Sequence, residues 1–238
     1  MKSGYNILWT DHALNELKKI IEYLEENFTK KELKRLALEI EETLAYSPKI
    51  QMQNLKHLVS RFTQLTETEM QQFEALFQEF PIKKKQFVLK EGQHTNAIFY
   101  FNQGIFRGFY EKDGEEITSN FYFGPTFAGD VFAARTKTPT KLNIQAFEDG
   151  QYFTADLNEI EKLSITFPGI TMLFLRFFEH LYIFNNRRQL SFIFDSPEER
   201  YNKLFLERPK VMANIPLKFI ASYLGIKPET LSRIRKKV

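Results

Sequence analysis

Between residues 82 and 153 the sequence stops repeating like a helix and alternates like a strand. Short runs rich in Phe, Tyr, Ile and Val are cut at close intervals by turn signals. These are Glu91-Gly92, Asn102-Gln103-Gly104, Asp113-Gly114, Gly124-Pro125, Gly129-Asp130 and Asp149-Gly150. Asp113-Gly114 stands between GIFRGFYEK and EEITSNFYF and predicts a tight hairpin, since both residue types tolerate positive φ. Strands spaced this evenly predict an antiparallel barrel or jelly roll, whose two sheets can enclose a small-ligand cavity.

Helical patterns flank this region. Leu55, Leu58, Val59 and Phe62 mark one helix. Thr66-x-x-Glu69 is a capping box for the next, with Met70, Phe73, Leu76 and Phe77 facing inward. Asp156 to Leu163 reads as a short helix, and Phe167-Pro168 starts a long one running to about Phe194. Phe167, Ile170, Phe174, Phe177, Leu181 and Phe184 recur at coiled-coil spacing, and Leu173, Leu175, Phe178 and Ile183 add a second apolar face. A helix apolar on nearly all sides needs two surfaces to cover it. The sheets supply one. The same helix of a second copy is expected to supply the other, with Ile170, Phe174, Phe177, Leu181 and Phe184 at the dimer interface. Ser196-Pro197-Glu198-Glu199 then forms a hinge: a capping serine, a first-turn proline and a glutamate at the third position after the cap.

Pro216 to Val238, PLKFIASYLGIKPETLSRIRKKV, reads as two short helices around a tight turn. Gly225 ends the first in the left-handed conformation, and Pro228 suits the first turn of the second. Leu231 and Ile234 point inward, which leaves Glu229, Ser232, Arg233 and Lys236 on the opposite face. Such a helix fits the major groove, with its first residues toward base edges and its basic residues toward phosphates. The charge agrees. Ten Lys/Arg and four Asp/Glu fall between Glu198 and Val238, whereas the whole chain carries only +3, so the remainder is net acidic. Basicity is concentrated where phosphate contact requires it.

Three stretches, EGQHTNAIFYFNQGIFRGFYEKDGEE, SPEERYNKL and IASYLGIKPETLSRIRKK, together with the long helix, resemble the cAMP-receptor-protein/FNR (Crp/Fnr) family of transcription regulators. The resemblance covers about residues 52–238. It implies an α+β architecture: a cyclic-nucleotide-binding-like jelly roll over 52–165, a dimerisation helix over 166–194 and a winged-helix-type helix-turn-helix over 195–238. It implies a non-enzymatic homodimer, with double-stranded DNA, a second copy of the chain and RNA polymerase as partners. By position, Glu229 and Arg233 fall where the family reads bases. Thr230, Ser232 and Lys236 would meet phosphates, with Lys227 and Lys237 as further DNA contacts. Pro228 stands where the family often has arginine, so the operator should differ from the family's usual half-site.

The ligand positions depart further from the family. Its cyclic-nucleotide members use a Gly-Glu pair for the ribose and an Arg-Ser pair for the phosphate. Here Gly129-Asp130 replaces the first, and the second falls near Thr140-Lys141, with Arg135 a few residues too early. A lysine offers a point charge and not a bidentate fork. Gly129, Asp130, Thr140 and Lys141 are therefore the effector-pocket candidates, the missing arginine argues against cAMP, and the effector stays unidentified.

The opening YNILWTDHALNELKKIIEYLEENFTKKELKRLALEIEETLAYSP resembles the first half of a ParE/RelE-type toxin, a strand followed by a helical hairpin. The family's remaining strands do not follow. Residues 1–51 are therefore expected to be a truncated strand-helix-helix segment appended to a regulator, without toxin activity.

With no cysteine in the chain, disulfides, zinc-thiolate sites, cysteine-ligated iron–sulfur clusters and thiol sensing are excluded. The first residues lack the apolar core of a secretory signal, and no run approaches the roughly 18 apolar residues of a membrane span. A cytoplasmic protein is expected. Two other readings compete. A cupin-like metal-dependent barrel enzyme needs several converging ligands, and the strand region offers His94 alone. A toxin–antitoxin-derived fusion would keep an interaction role in residues 1–51. Glu115-Glu116 and Glu198-Glu199 lie in turn or capping contexts, and no phosphate loop or nucleophile motif occurs. No catalytic or metal residue is assigned.

Overall fold

The computed structural model describes residues 48–236. The segment resembling a toxin and Lys237 lie outside the described residues. Helices α1 (Pro48–Ser60) and α2 (Glu67–Glu74) come first. Thr66 caps α2 as its spacing predicts. Its Oγ1 accepts from the Glu69 N–H at 3.2 Å, and its own N–H donates to Glu69 Oε2 at 2.8 Å. The other Glu69 oxygen accepts from the Gly169 N–H at 3.0 Å, so one carboxylate ties α2 to the start of the long helix. These bonds, that from Thr66 N–H foremost, hold the Glu69 carboxyl below its ordinary pKa.

Eight strands follow: β1 (Gln78–Ile82), β2 (Phe87–Leu89), β3 (Ala97–Phe101), β4 (Ile105–Lys112), β5 (Glu115–Phe123), β6 (Thr126–Ala128), β7 (Asn143–Ala146) and β8 (Gly150–Asp156). All pair antiparallel, in two four-stranded sheets ordered β1-β8-β3-β6 and β2-β7-β4-β5. The expected hairpin is present. Asp113 and Gly114 take φ of 53° and 80°, and Lys112 faces Glu115 across the ladder. Alternation sorts β3 in the same way. Phe99 and Phe101 point between the sheets with Phe106, Leu89 and Ile144, while Ile98 and Tyr100 pack against the helices. The Phe101 and Phe106 rings stack with centroids 3.8 Å apart.

Helix α3 (Val131–Thr136) interrupts the strand region, which the alternation did not announce. Helix α4 (Leu157–Thr166) leads into α5 (Pro168–Phe194), and Ser196 starts α6 (Pro197–Glu207) with the expected capping box. Then come α7 (Pro209–Asn214), α8 (Leu217–Leu224) and α9 (Pro228–Arg235). The wing strands expected after residue 195 are not there: among the described residues that region is helical throughout.

Strand β5 is the edge of its sheet, and α8 lies across it. Ser222 Oγ accepts from the Thr118 N–H and donates to the Glu116 carbonyl, both at 2.9 Å. One serine thus satisfies two edge groups that would otherwise invite another strand.

Candidate functional site

Helices α8 and α9 meet at Gly225, whose φ of 66° makes the left-handed helix end. The Ile226 N–H then donates to the Ala221 carbonyl at 3.0 Å, closing the turn. Leu231 and Ile234 sink into a cluster with Tyr201, Leu204, Val211 and Ile220. That anchoring leaves Lys227, Glu229, Ser232, Arg233 and Lys236 exposed on one side of α9, with Thr230 half-buried beside them. Arg233 Nη2 lies 3.4 Å from Thr230 Oγ1, a weak contact on an exposed side chain. The structure brings these sequence-predicted residues onto one accessible helix, with no carboxylate but Glu229 among them.

The effector-pocket candidates fare differently. Asp130 caps α3 by accepting from the Ala133 N–H at 3.0 Å. Its other oxygen accepts the Thr140 hydroxyl at 2.6 Å, and Thr140 Oγ1 accepts from the Leu142 N–H at 2.9 Å. Asp130 and Thr140 are brought together, but their polar atoms serve each other and the backbone. Gly129 packs under the Ala97 carbonyl, which a Cβ would approach to 3.1 Å. Lys141 stays exposed, and Arg135 pairs with Glu161 of α4.

The faces of α5 are the reverse of what the heptad predicts. Ile170, at 0% exposure, and Phe177 are buried in the chain's own core beside Phe73 and Phe127, and Phe174 and Leu181 pack against that core. Phe184 is half-buried and turned toward Arg208. Those five residues form the inner face, because the sheets and α2 offer them the larger apolar surface. The side left uncovered carries Met172, Leu175, Tyr182, Ile183, Leu190 and Ile193, with Leu175 59% and Ile193 64% exposed. At about 3.6 residues per turn these six fall on one stripe.

Where the second half of α5 meets α6 and α8, arginines stand among aromatic rings. Arg188 lies 3.9 Å from the Tyr223 ring centroid and 4.8 Å from that of Phe192, and its Nη2 donates to the Tyr223 carbonyl at 2.9 Å. Arg200 donates to the carbonyls of Leu224 at 3.1 Å and Asp195 at 2.7 Å. Arg208 donates to Phe121 O at 2.5 Å and Asn120 Oδ1 at 3.1 Å. Burial holds the Arg188 guanidinium below its ordinary pKa, and its two arginine neighbours push the same way. These residues border a pocket of about 670 Å³. Sequence reading passed over them. The signal was there: Arg188 follows Leu181 and Phe184 on the inner stripe of α5, and Arg208 follows Tyr201 and Leu204 on that of α6.

Arg107 shows the other way to bury a guanidinium. It sits on the outward face of β4, yet is 1% exposed, because Phe219 of α8 covers it at 4.0 Å and Phe109 at 4.3 Å. Glu116 pairs with it at 2.6 Å.

No family model matches the sequence, and no curated protein matches it. Solved structures do. A CooA double mutant from Carboxydothermus hydrogenoformans is 16% identical, with 68% of this chain and 76% of that one covered at a TM-score of 0.57. CLP of Xanthomonas campestris, described as a c-di-GMP-responsive global regulator, is 13% identical over 72% of this chain and 91% of that one, TM-score 0.57. FixK2 of Bradyrhizobium japonicum is 19% identical over 68% and 83%, TM-score 0.56. The neighbours are Crp/Fnr-family regulators with a cyclic-nucleotide-binding fold. At such identities the likeness establishes the fold: helices packed on two antiparallel sheets, followed by a helical region.

Proposed function

We propose that this chain is a homodimeric, sequence-specific DNA-binding transcription regulator of the Crp/Fnr type, and not an enzyme. The observation that carries the reading is the accessible face of α9, where Lys227, Glu229, Ser232, Arg233 and Lys236 are exposed while Leu231 and Ile234 anchor the helix from behind. Glu229 can accept from cytosine N4 and Arg233 can donate to guanine O6 and N7. Thr230, Ser232 and the lysines, Lys237 included, meet phosphates.

The reading divides the chain into an effector-type domain over 52–165, a dimerisation helix over 166–194 and a helix-turn-helix region over 195–238. The uncovered stripe of α5 is the dimer seam, which offers α9 twice to successive major grooves. No helix among the described residues is long and apolar enough to cross a membrane, and the proposed setting is the cytoplasm, with RNA polymerase as a further partner.

Footprinting on the DNA upstream of the chain's own gene tests the reading. Two protected half-sites about 34 Å apart, one helical turn or a multiple of it, are expected. Protection spread evenly along the duplex would contradict it.

A further inference from the structure

We infer that the pocket between the second half of α5, α6 and α8 is a binding site for a small organic anion, one with a phosphate or carboxylate head and a flat apolar body. The first ground is charge. Arg188, Arg200 and Arg208 converge on one pocket, and each donates only to carbonyls or neutral side chains. Among the described residues no carboxylate lies within ion-pair distance of any of the three. Two acids line the pocket, Asp195 and Glu207. Asp195 is taken by Lys203 at 2.6 Å and by the Ser191 hydroxyl, and Glu207 forms no ion pair with the three arginines. Three half-buried like charges on one pocket repel one another, and an anion among them reverses the sign of that interaction.

The second ground is shape. The pocket of about 670 Å³ falls within the range for small-molecule sites. Phe184, Phe192, Leu204 and Tyr223 line it, offering apolar surface for the body of a ligand whose head the guanidinium forks hold bidentately.

The contrast with Arg107 makes the absence of a counter-charge informative. That guanidinium is covered on both faces and has Glu116 as partner. The chain therefore supplies a paired carboxylate where an arginine serves only packing, and none within ion-pair distance of the three arginines at the joint. None of Gly129, Asp130, Thr140 and Lys141 lines this pocket, and Asp130 and Thr140 spend their polar groups on α3 and on each other.

The site assignment does not need DNA binding. Its role as an effector site does rest on the regulator reading: a ligand gripped by α5 and α6 would fix the angle at which α9 is presented.

Titration calorimetry with 1-naphthyl phosphate, inorganic phosphate and 1-naphthol tests it, using the full chain. Naphthyl phosphate should bind at least tenfold more tightly than either of the others, and hydrogen exchange should slow over residues 184–208. Arg200→Gln, which keeps an amide donor, should lose at least tenfold in affinity. Lys203→Glu, a change at the exposed rim that leaves the core intact, should lose several-fold, so a folding defect in the first variant does not decide the matter. Equal affinity for phosphate and naphthyl phosphate, or exchange slowed in strands β3–β7 instead, overturns the site. If wild type binds both naphthyl phosphate and DNA with neither altering the other's affinity, the effector role is overturned while the site and the regulator reading stand, because coupling between two sites must be reciprocal.

Discussion

The space between the two sheets and the joint between α5 and the C-terminal helices use aromatic residues to opposite ends. Between the sheets, Phe99, Phe101 and Phe106 interlock with Leu89 and Ile144, and the neighbouring polar pair, Asp130 and Thr140, is satisfied internally. At the joint, Phe184, Phe192 and Tyr223 stack on arginines that have no acidic partner, around an unfilled volume. The difference lies in how each is assembled. A strand pair fixes side-chain direction every second residue, so a Phe-rich strand fills its own interior. A joint among helices is made of faces from separate elements, and long side chains tethered to carbonyls hold its walls apart.

That contrast can be broken. The largest effect should come from Phe101→Ala, which removes a fully buried ring from the sheet interior and should cost about 3–5 kcal/mol in chemical denaturation. A much smaller loss would mean the interior is as loose as the joint. Next comes the uncovered stripe of α5. Leu190→Asp with Ile193→Asp should weaken dimerisation by roughly 100-fold in sedimentation, since charges would enter an apolar seam, while helix content stays unchanged. Ile170→Asp should unfold the protomer instead, which separates the two faces.

Ser222→Ala tests how firmly α8 is fastened to the β5 edge. It strands the Thr118 N–H and should cost about 1–2 kcal/mol, with faster hydrogen exchange in α8 than in β3. The smallest effect belongs to Glu69, whose carboxyl is held below its ordinary pKa by the Thr66 and Gly169 N–H groups. Its folded pKa lies below the unfolded one, so its contribution is complete above the ordinary carboxylate range and fades as pH falls through the lowered value. Glu69→Gln should flatten that acid limb in a pH series of thermal melts: its loss of stability is full at pH 7 and disappears at the acid end, where Glu69 is protonated as well.

Much of this was legible from residues alone, for reasons that differ by element. The capping boxes at Thr66 and Ser196 and the Asp113-Gly114 hairpin are local chemistry, so spacing sufficed. The α9 face was legible because Leu231 and Ile234 leave the helix one way to sit. The heptad of α5 showed that two apolar faces exist, but which one meets the sheets depends on the relative size of the surfaces, a tertiary fact. The absence of wing strands and the presence of α3 have no strong local signature. The apolar stripes that Arg188 and Arg208 continue can be read one helix at a time, but the joint itself could not, because Arg188 of α5, Arg200 of α6 and Arg208 just beyond α6 converge only in the fold.

The central claim is that α9 reads bases. Fluorescence-anisotropy titration of wild type and Arg233→Ala, at one fixed salt concentration, against the footprinted duplex and a scrambled one measures this directly. The account predicts that the variant loses about 1–3 kcal/mol on the footprinted duplex and little on the scrambled one, so discrimination narrows. An equal loss on both would make Arg233 a phosphate contact, and no loss on either would remove α9 from the interface.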